Sequence, residues 1–499
     1  WSVLQEIGSS MRNMKLLQCA VLAARANHIQ QEISQGMKKP YKEIIDLSWG
    51  DLQRAGVKPL SFVRQVICDS FPFIFFRAQR LLRECDGGIV GTGFVSGIPE
   101  IVHRVAEFIT RQDGGIPSHP ENIYISAGSQ RNIVTILMNR KASPRTGILT
   151  PVPCYNIATL SMMAQGATVV PYYLNQEHSW ELQIEELHRA LESAQRVCNP
   201  VALYVINPGN PTGHVQSRKS MQEVIHFVSE RSLFLLADEI DVYQDCFNGE
   251  KTEFVLMEMG PPLSDTVELA SFHSASKGFM GECGLRDGYV ELVNLDHTVM
   301  KYIYVLFSKD SSAPVLGQFA LDLMANPPQP GDPSYPLYNV EMQNIRTTVA
   351  DNAKRAVEVV NNMLGFCCQP VEGGAFAFPQ LHLPPKAIEK AEEMGMKPDT
   401  YYCTRLYEES GVLVRPGSEY GQKEGTYHIR YIFQLTGLSC PFHINEHICN
   451  KLNCTVTSFH FTPFIFLFSR FCIATSADIM EELLKRLSIF HTQFMEDFS

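Results

Sequence analysis

Two uninterrupted apolar runs, Leu203-Tyr204-Val205-Ile206 and Leu233-Phe234-Leu235-Leu236-Ala237, constrain the fold of this chain more than any other feature, because each closes on a polar cluster. A run that does not alternate with polar residues suits a strand covered on both faces, as in a parallel sheet. Between them Met221, Val224, Ile225 and Val228 recur at helical spacing, so the segment reads as strand, helix, strand. The expected class is therefore α/β. In open sheets of this kind ligands gather beyond the carboxyl ends of the strands, where Asn207, Asn210 and Asp238 fall.

The 499 residues suffice for two or more domains. A net charge of −11 argues against nucleic acid as a partner, so an anionic ligand would be met by local arginines. Fourteen cysteines spread over so long a chain read as reduced, mostly buried thiols. The most apolar stretch, 459–472, contains Pro463 and Arg470 and falls short of the roughly twenty residues a spanning helix needs, so no membrane association is expected. Near the end, Ile479, Leu483, Leu487, Phe490 and Phe494 mark an amphipathic helix. Pro327-Pro328-Gln329-Pro330 and Pro384-Pro385 read as loops.

Four groups of residues have a chemistry in common. Ser274-Ala275-Ser276-Lys277-Gly278 follows a strand-like run and offers a lysine amine among small hydroxyl side chains. Alone, such a lysine is an ordinary solvated residue. Arg286, nine residues on, is suited to a bidentate grip on phosphate. Asn207-Pro208-Gly209-Asn210-Pro211-Thr212-Gly213 specifies a turn with an amide at a strand end. Asp238 closes an apolar run, where a carboxylate needs a cation such as a protonated pyridine; capping of a following helix is the plain rival. An amine, an acid for a pyridine nitrogen, phosphate donors and an arginine for a carboxylate are what a pyridoxal enzyme requires.

These motifs, with Gly425-Thr426-Tyr427-His428-Ile429-Arg430, come in the order of the fold-type I aminotransferases. Ser48-Trp49-Gly50-Asp51, Arg54-Ala55-Gly56-Val57-Lys58-Pro59, Lys277-Gly278-Phe279-Met280-Gly281-Glu282-Cys283-Gly284 and Gly421-Gln422-Lys423-Glu424 make the chain resemble the alanine aminotransferases in particular. The resemblance implies a large domain, 47–351, with a mostly parallel seven-stranded sheet flanked by helices. A smaller α/β domain from both chain ends, 1–46 and 352–499, would complete the subunit of a homodimer. It further implies pyridoxal 5'-phosphate as cofactor and a ping-pong exchange of L-alanine and 2-oxoglutarate for pyruvate and L-glutamate. Lys277 would hold the cofactor covalently and move the substrate proton. Asp238 would face the pyridine nitrogen, Asn210 and Tyr243 the ring phenolate, and Tyr155 the ring face. Gly128, Ser129, Ser274 and Arg286 would cradle the phosphate, with Ser129 opening a helix. Arg430, with Gly50 nearby, would bind the substrate carboxylate.

The chain departs from the pattern at several places. Ile240-Asp241 adds two residues before Val242-Tyr243-Gln244, which bears on Tyr243. The stretch after Tyr155 is shortened, and Gly91-Thr92-Gly93-Phe94 lacks a tyrosine. The segment 435–476 reads as an atypical insert, and its Phe-rich end resembles translated noncoding sequence; that reading is favoured over a zinc site from His443, His447, Cys449 and Cys454, whose spacing fits no standard ligand pattern. A catalytically impaired paralogue or gene-model variant of the same fold, or an enzyme for another amino donor, stays open as an alternative. The expected compartment is the cytoplasm, and a mitochondrial location would follow from a presequence ahead of Trp1.

Overall fold

The computed structural model describes residues 25, 28–41, 45–46, 60–63, 95–139, 146–239, 251–277, 280–308, 313–374, 376–432 and 477–499. Seven strands form the central sheet: β1 (Ile123–Ser126), β2 (Thr146–Val152), β3 (Thr168–Tyr173), β4 (Asn199–Ile206), β5 (Phe234–Asp238), β6 (Leu269–His273) and β7 (Gly288–Val293). Their order across the sheet is β1-β7-β6-β5-β4-β2-β3, with β7 antiparallel to both neighbours and every other pairing parallel. Both apolar runs seen in the sequence lie in this sheet, and every residue of β5, β6 and β7 is buried.

Helices cover the sheet on both faces because parallel strands must be joined by crossovers. Helix α1 (Pro99–Gln112) packs on α8 (Val315–Ala325), while α2 (Ser129–Asn139) lies against α3 (Asn156–Ala164) and α7 (His297–Ser308). Helices α4 (Ile184–Gln195), α5 (Arg218–Arg231) and α6 (Thr252–Met259) cover the other end. The Ser217 hydroxyl accepts the N–H of Ser220 at 3.1 Å and so caps α5, whose Met221, Val224, Ile225 and Val228 are buried as their spacing requires.

A long helix, α9 (Tyr335–Asn361), leads into a second layer containing α10 (Pro385–Glu393), α11 (Pro398–Ser410) and α12 (Ala477–Asp497). Strands β8 (Phe376–Ala377), β9 (Arg415–Pro416) and β10 (Ile429–Ile432) form a three-stranded antiparallel sheet there, in the order β8-β10-β9. The segment Ile45–Asp46 joins this layer by pairing in parallel with Val412–Leu413. On α12 the expected apolar face is present: Leu483, Leu487, Phe490 and Phe494 are buried, and Phe494 meets Tyr401 and Tyr402 of α11. One expectation is corrected. Pro384-Pro385 is no loop but the start of α10, where Pro385 occupies the first helical position and its missing N–H costs nothing. Pro327 to Pro330 lie between α8 and α9 as a connection, as expected.

Among the described residues no helix is long and apolar enough to cross a membrane. The described cysteines are all free: Cys154, Cys198, Cys368 and Cys403 are buried, Cys283 is half-buried and Cys367 exposed.

Candidate active site

The strand directions bring the predicted residues to one edge of the sheet. The carboxyl ends of β1, β2, β4, β5 and β6 point the same way, and antiparallel β7 begins at that edge. From β1 comes the Gly128 turn, from β2 Tyr155, from β4 the Asn207–Gly213 turn, from β5 Asp238, from β6 Ser274 to Lys277, and ahead of β7 Arg286.

Asp238 is 4 % exposed, and its register partners are Ile206 and Phe272. Its carboxylate accepts the hydroxyl of Tyr204, itself fully buried in β4. The backbone carbonyl of Asp238 accepts the N–H of Asn207 at 3.0 Å, which ties the turn to this strand end. A carboxylate so enclosed is built to meet a cation.

The Gly128 turn fits an anion. Helix α2 starts at Ser129, so its first N–H groups face away from the helix. Arg286 lies across the turn: Nη2 donates to the Ala127 carbonyl at 3.2 Å and Nη1 to the Cys283 carbonyl at 3.1 Å. Gly128 has φ +101°, and a Cβ there would stand 2.5 Å from Nη2 of Arg286. A side chain at 128 would displace the guanidinium, so glycine is what lets cation and helix terminus share one small space.

Lys277 is half-buried at the end of a loop fixed by buried contacts. The Ser274 hydroxyl accepts the Ser276 N–H at 3.2 Å, and Asp287 Oδ1 accepts the Ala275 N–H at 3.2 Å and the Ser276 hydroxyl at 3.4 Å. Burial pushes the Asp287 carboxyl up to about 7, with the Glu282 carboxylate pushing the same way and the Ala275 N–H and Arg286 opposing.

From the second layer, Arg430 of β10 reaches the same place. It is 3 % exposed, and its guanidinium carbon lies 4.5 Å from the Phe376 ring centre and 4.7 Å from that of Tyr420. Nη1 donates to Asn210 Oδ1 at 3.4 Å. Burial is the largest influence on this guanidinium and lowers its proton affinity, against which Tyr420, Tyr155 and Glu419 push. Tyr155 is half-buried beside these groups: burial raises its phenol, the Arg430 charge lowers it and the Asp238 charge raises it. The Cys154 N–H donates to the Tyr420 carbonyl at 2.8 Å, joining the loop after β2 to the second layer.

The structure thus gathers Gly128, Ser129, Tyr155, Asn210, Asp238, Ser274, Lys277, Arg286 and Arg430. Gly50, Tyr243 and the segment 435–476 lie outside the described residues. Sequence reasoning did not single out Tyr204, Glu239, Asp287 and Arg415. Glu239 is fully buried, accepts the Thr252 N–H and the Ser271 hydroxyl at 2.6 Å each, and thereby braces β5 against the start of α6 and β6. Its neighbour His273 contacts the Ser271 hydroxyl at 2.7 Å and stacks on Tyr289; burial holds that imidazole well below its usual proton affinity.

Comparison with known proteins settles the family. The model of the aminotransferase class I and II family matches residues 42–433. The chain belongs to the class I and II aminotransferases. Members of this family are pyridoxal-phosphate-dependent transferases, and this chain is such an enzyme. It is 46 % identical to human alanine aminotransferase 1 over 429 residues, covering 82 % of this chain and 86 % of that one. Alanine aminotransferase 2 of Xenopus tropicalis is 40 % identical over 498 residues, covering 96 % and 87 %. A Saccharomyces cerevisiae protein named inactive alanine aminotransferase is 35 % identical, covering 83 % and 87 %. Among solved structures, alanine aminotransferase from Pyrococcus furiosus superposes with a TM-score of 0.72 at 17 % identity, covering 98 % and 100 %, and so confirms the expected fold-type I architecture.

Proposed function

We propose that this aminotransferase exchanges L-alanine and 2-oxoglutarate for pyruvate and L-glutamate by a ping-pong route. The observation that carries the reading is the convergence of Asp238, Lys277, Arg286 and Arg430 on one sheet edge, taken with identity of 40–46 % to proteins named alanine aminotransferase. Pyridoxal phosphate, when bound, supplies the electron sink that lets a substrate α-proton leave. The residues present suit it: Asp238, held by the Tyr204 hydroxyl, would pair with the pyridine nitrogen, and Tyr155 would cover a ring face. Asn210 would meet the phenolic oxygen, while Gly128, Ser129, Ser274 and Arg286 would take the phosphate. Lys277 would hold the cofactor and would carry the proton to and from the substrate α-carbon. Arg430, oriented by Asn210 and clamped between Phe376 and Tyr420, would receive the α-carboxylate.

The large domain is assigned to 47–351 and the small one to 1–46 and 352–499, with two copies forming the working dimer. A cytoplasmic setting goes with this reading. Adding L-alanine to the cofactor-loaded protein should bleach the bound-cofactor absorbance band, and 2-oxoglutarate should restore it. A loaded protein that ignores alanine would overturn the proposal. The second reading, a cofactor-binding protein with little turnover, is favoured by the two extra residues Ile240-Asp241 ahead of Tyr243, and that same result would support it.

A further inference from the structure

Asp287 stands between two residues that shape the Gly128 turn. Arg286, just before it, crosses that turn, and Gly288, just after it, lies so near the start of α2 that a Cβ there would stand 2.4 Å from the Ser129 nitrogen. Helix α8 backs the same segment, since a Cβ on Gly317 would meet the Leu285 and Arg286 carbonyls at 2.8 Å. Arg286 is held at φ +56°, a left-handed conformation that persists in a non-glycine residue only where the surroundings enforce it. A segment wedged in this way cannot swing a carboxyl out to water. Asp287 is buried, its Oδ1 accepts from Ala275 and Ser276 of the Lys277 loop, and its Oδ2 is enclosed with no hydrogen-bond partner. The charged groups facing it are the Glu282 carboxylate and the Arg286 guanidinium, while α2 and α8 approach the segment through backbone atoms.

A phosphate monoester is largely a dianion above about pH 6. With Glu282 and Asp287 both ionised, the arginine meant for that dianion would already be neutralised before it arrived. We infer that Asp287 couples cofactor binding to proton uptake: the phosphate enters as the Asp287 carboxyl takes a proton from solvent, and the grip weakens when that proton leaves. This rests on the reading above, in which Gly128, Ser129, Ser274 and Arg286 take the phosphate. Asp287 acts through Arg286 and the Lys277 loop, as a positioning residue rather than a catalytic one. Burial puts its carboxyl at about 7, so the proton is held below that pH and released above it. A dianion alongside raises the value further, and affinity for the phosphate must fall with pH between the free and the bound values.

Pyridoxamine 5'-phosphate and pyridoxamine test this on the full-length protein freed of cofactor, because neither condenses with Lys277 and only the first carries a phosphate. The ratio of their affinities cancels whatever the ring contributes. In the wild type that ratio should fall about tenfold between pH 7 and 9. Calorimetry at pH 8 in two buffers of different ionisation heat should show the phosphate ester taking up roughly half a proton more than pyridoxamine. In Asp287→Asn the ratio should stay within about a factor of two over the same range, and the excess uptake should vanish. A support role alone would change the ratio by one factor at every pH and leave its slope in place; that result would overturn the inference, as would excess proton uptake surviving in the variant. If Asp287→Asn does not fold, the wild-type difference in proton uptake between the two ligands carries the test, and no difference overturns the inference. Pyridoxamine bound as tightly as its phosphate ester would instead overturn the phosphate cradle itself.

Discussion

Asp287 offers the sharpest test of how the lysine loop is held. Its carboxyl is 1 % exposed, it accepts from Ala275 and Ser276 just ahead of Lys277, and burial pushes it up to about 7 against an ordinary value near 3.8. Its Oδ2 atom is buried without a hydrogen-bond partner, so nothing on that side rewards ionisation. The charged groups that face it are Glu282, which opposes ionisation, and Arg286, which favours it. Because the folded value is raised, the folded state binds more protons than the unfolded one between pH 4 and 7, and stability must fall as pH rises through that window. At about 1.4 kcal/mol per pH unit, and with the slope fading as the folded carboxyl ionises near pH 7, the loss between pH 5 and 7 is about 2 kcal/mol. Asp287→Asn keeps the acceptor oxygen and cannot ionise. Urea unfolding of both proteins at pH 5, 6, 7 and 8 should give pH dependences that diverge, with the variant gaining about 2 kcal/mol on the wild type between pH 5 and 7, on top of a constant cost of about 1–3 kcal/mol for its buried amide donor. Parallel pH dependences for the two proteins would refute the argument.

Three further outcomes are expected at the site. Gly128→Ala should weaken pyridoxal phosphate binding at least tenfold in equilibrium titration, because its Cβ would expel Arg286; Gly260→Ala, at φ +69° with no atom within 4 Å of the added Cβ, should leave that affinity alone and register only backbone strain of about 1–2 kcal/mol. Tyr204→Phe removes the hydroxyl that Asp238 accepts, so the acid limb of the alanine half-reaction should move to higher pH, read from stopped-flow absorbance between pH 5 and 9. Arg430→Lys keeps the charge but loses the planar fork held between Phe376 and Tyr420, and the KM for both amino acids should rise at least tenfold.

What the sequence discloses divides along physical lines. The strands at 203–206 and 233–237, the helix between them and the terminal helix were readable because burial on defined faces imposes periodicity, and all four are present. Asp238 and Lys277 stood out because they lie at or just beyond the ends of apolar runs, and Arg286 because it follows Lys277 by nine residues with a side chain suited to phosphate. Tyr204 was not, since a tyrosine inside a strand looks like core until its hydroxyl is seen to meet Asp238, 34 residues away. Arg415 was equally silent, because the register that sets it directly opposite Arg430 is a tertiary property. Pro384-Pro385 misled because proline breaks a helix interior and begins a helix equally well, a choice decided by the helix-forming run from Lys386 to Glu393.

The Asn207–Gly213 turn explains why the cofactor and substrate halves of the site work as one. On the sheet side it is held by the Asn207 N–H to the Asp238 carbonyl, and by Asn207 Oδ1, which accepts the Gln216 N–H at 2.9 Å. On the other side the Gly213 carbonyl accepts the N–H groups of Glu372 and Gly373 at 2.7 and 2.9 Å, just ahead of β8. Gly213 has φ +70°, and a Cβ there would stand 2.5 Å from the Phe376 carbonyl, so only glycine lets the two layers approach this closely. Phe376 in turn covers Arg430, while Asn210 from the same turn bonds its guanidinium. Arg430, the group proposed for the substrate carboxylate, is therefore positioned from the strand ends that carry Asp238, through one rigid turn. A mutation that loosens the turn should impair carboxylate binding and cofactor pairing together.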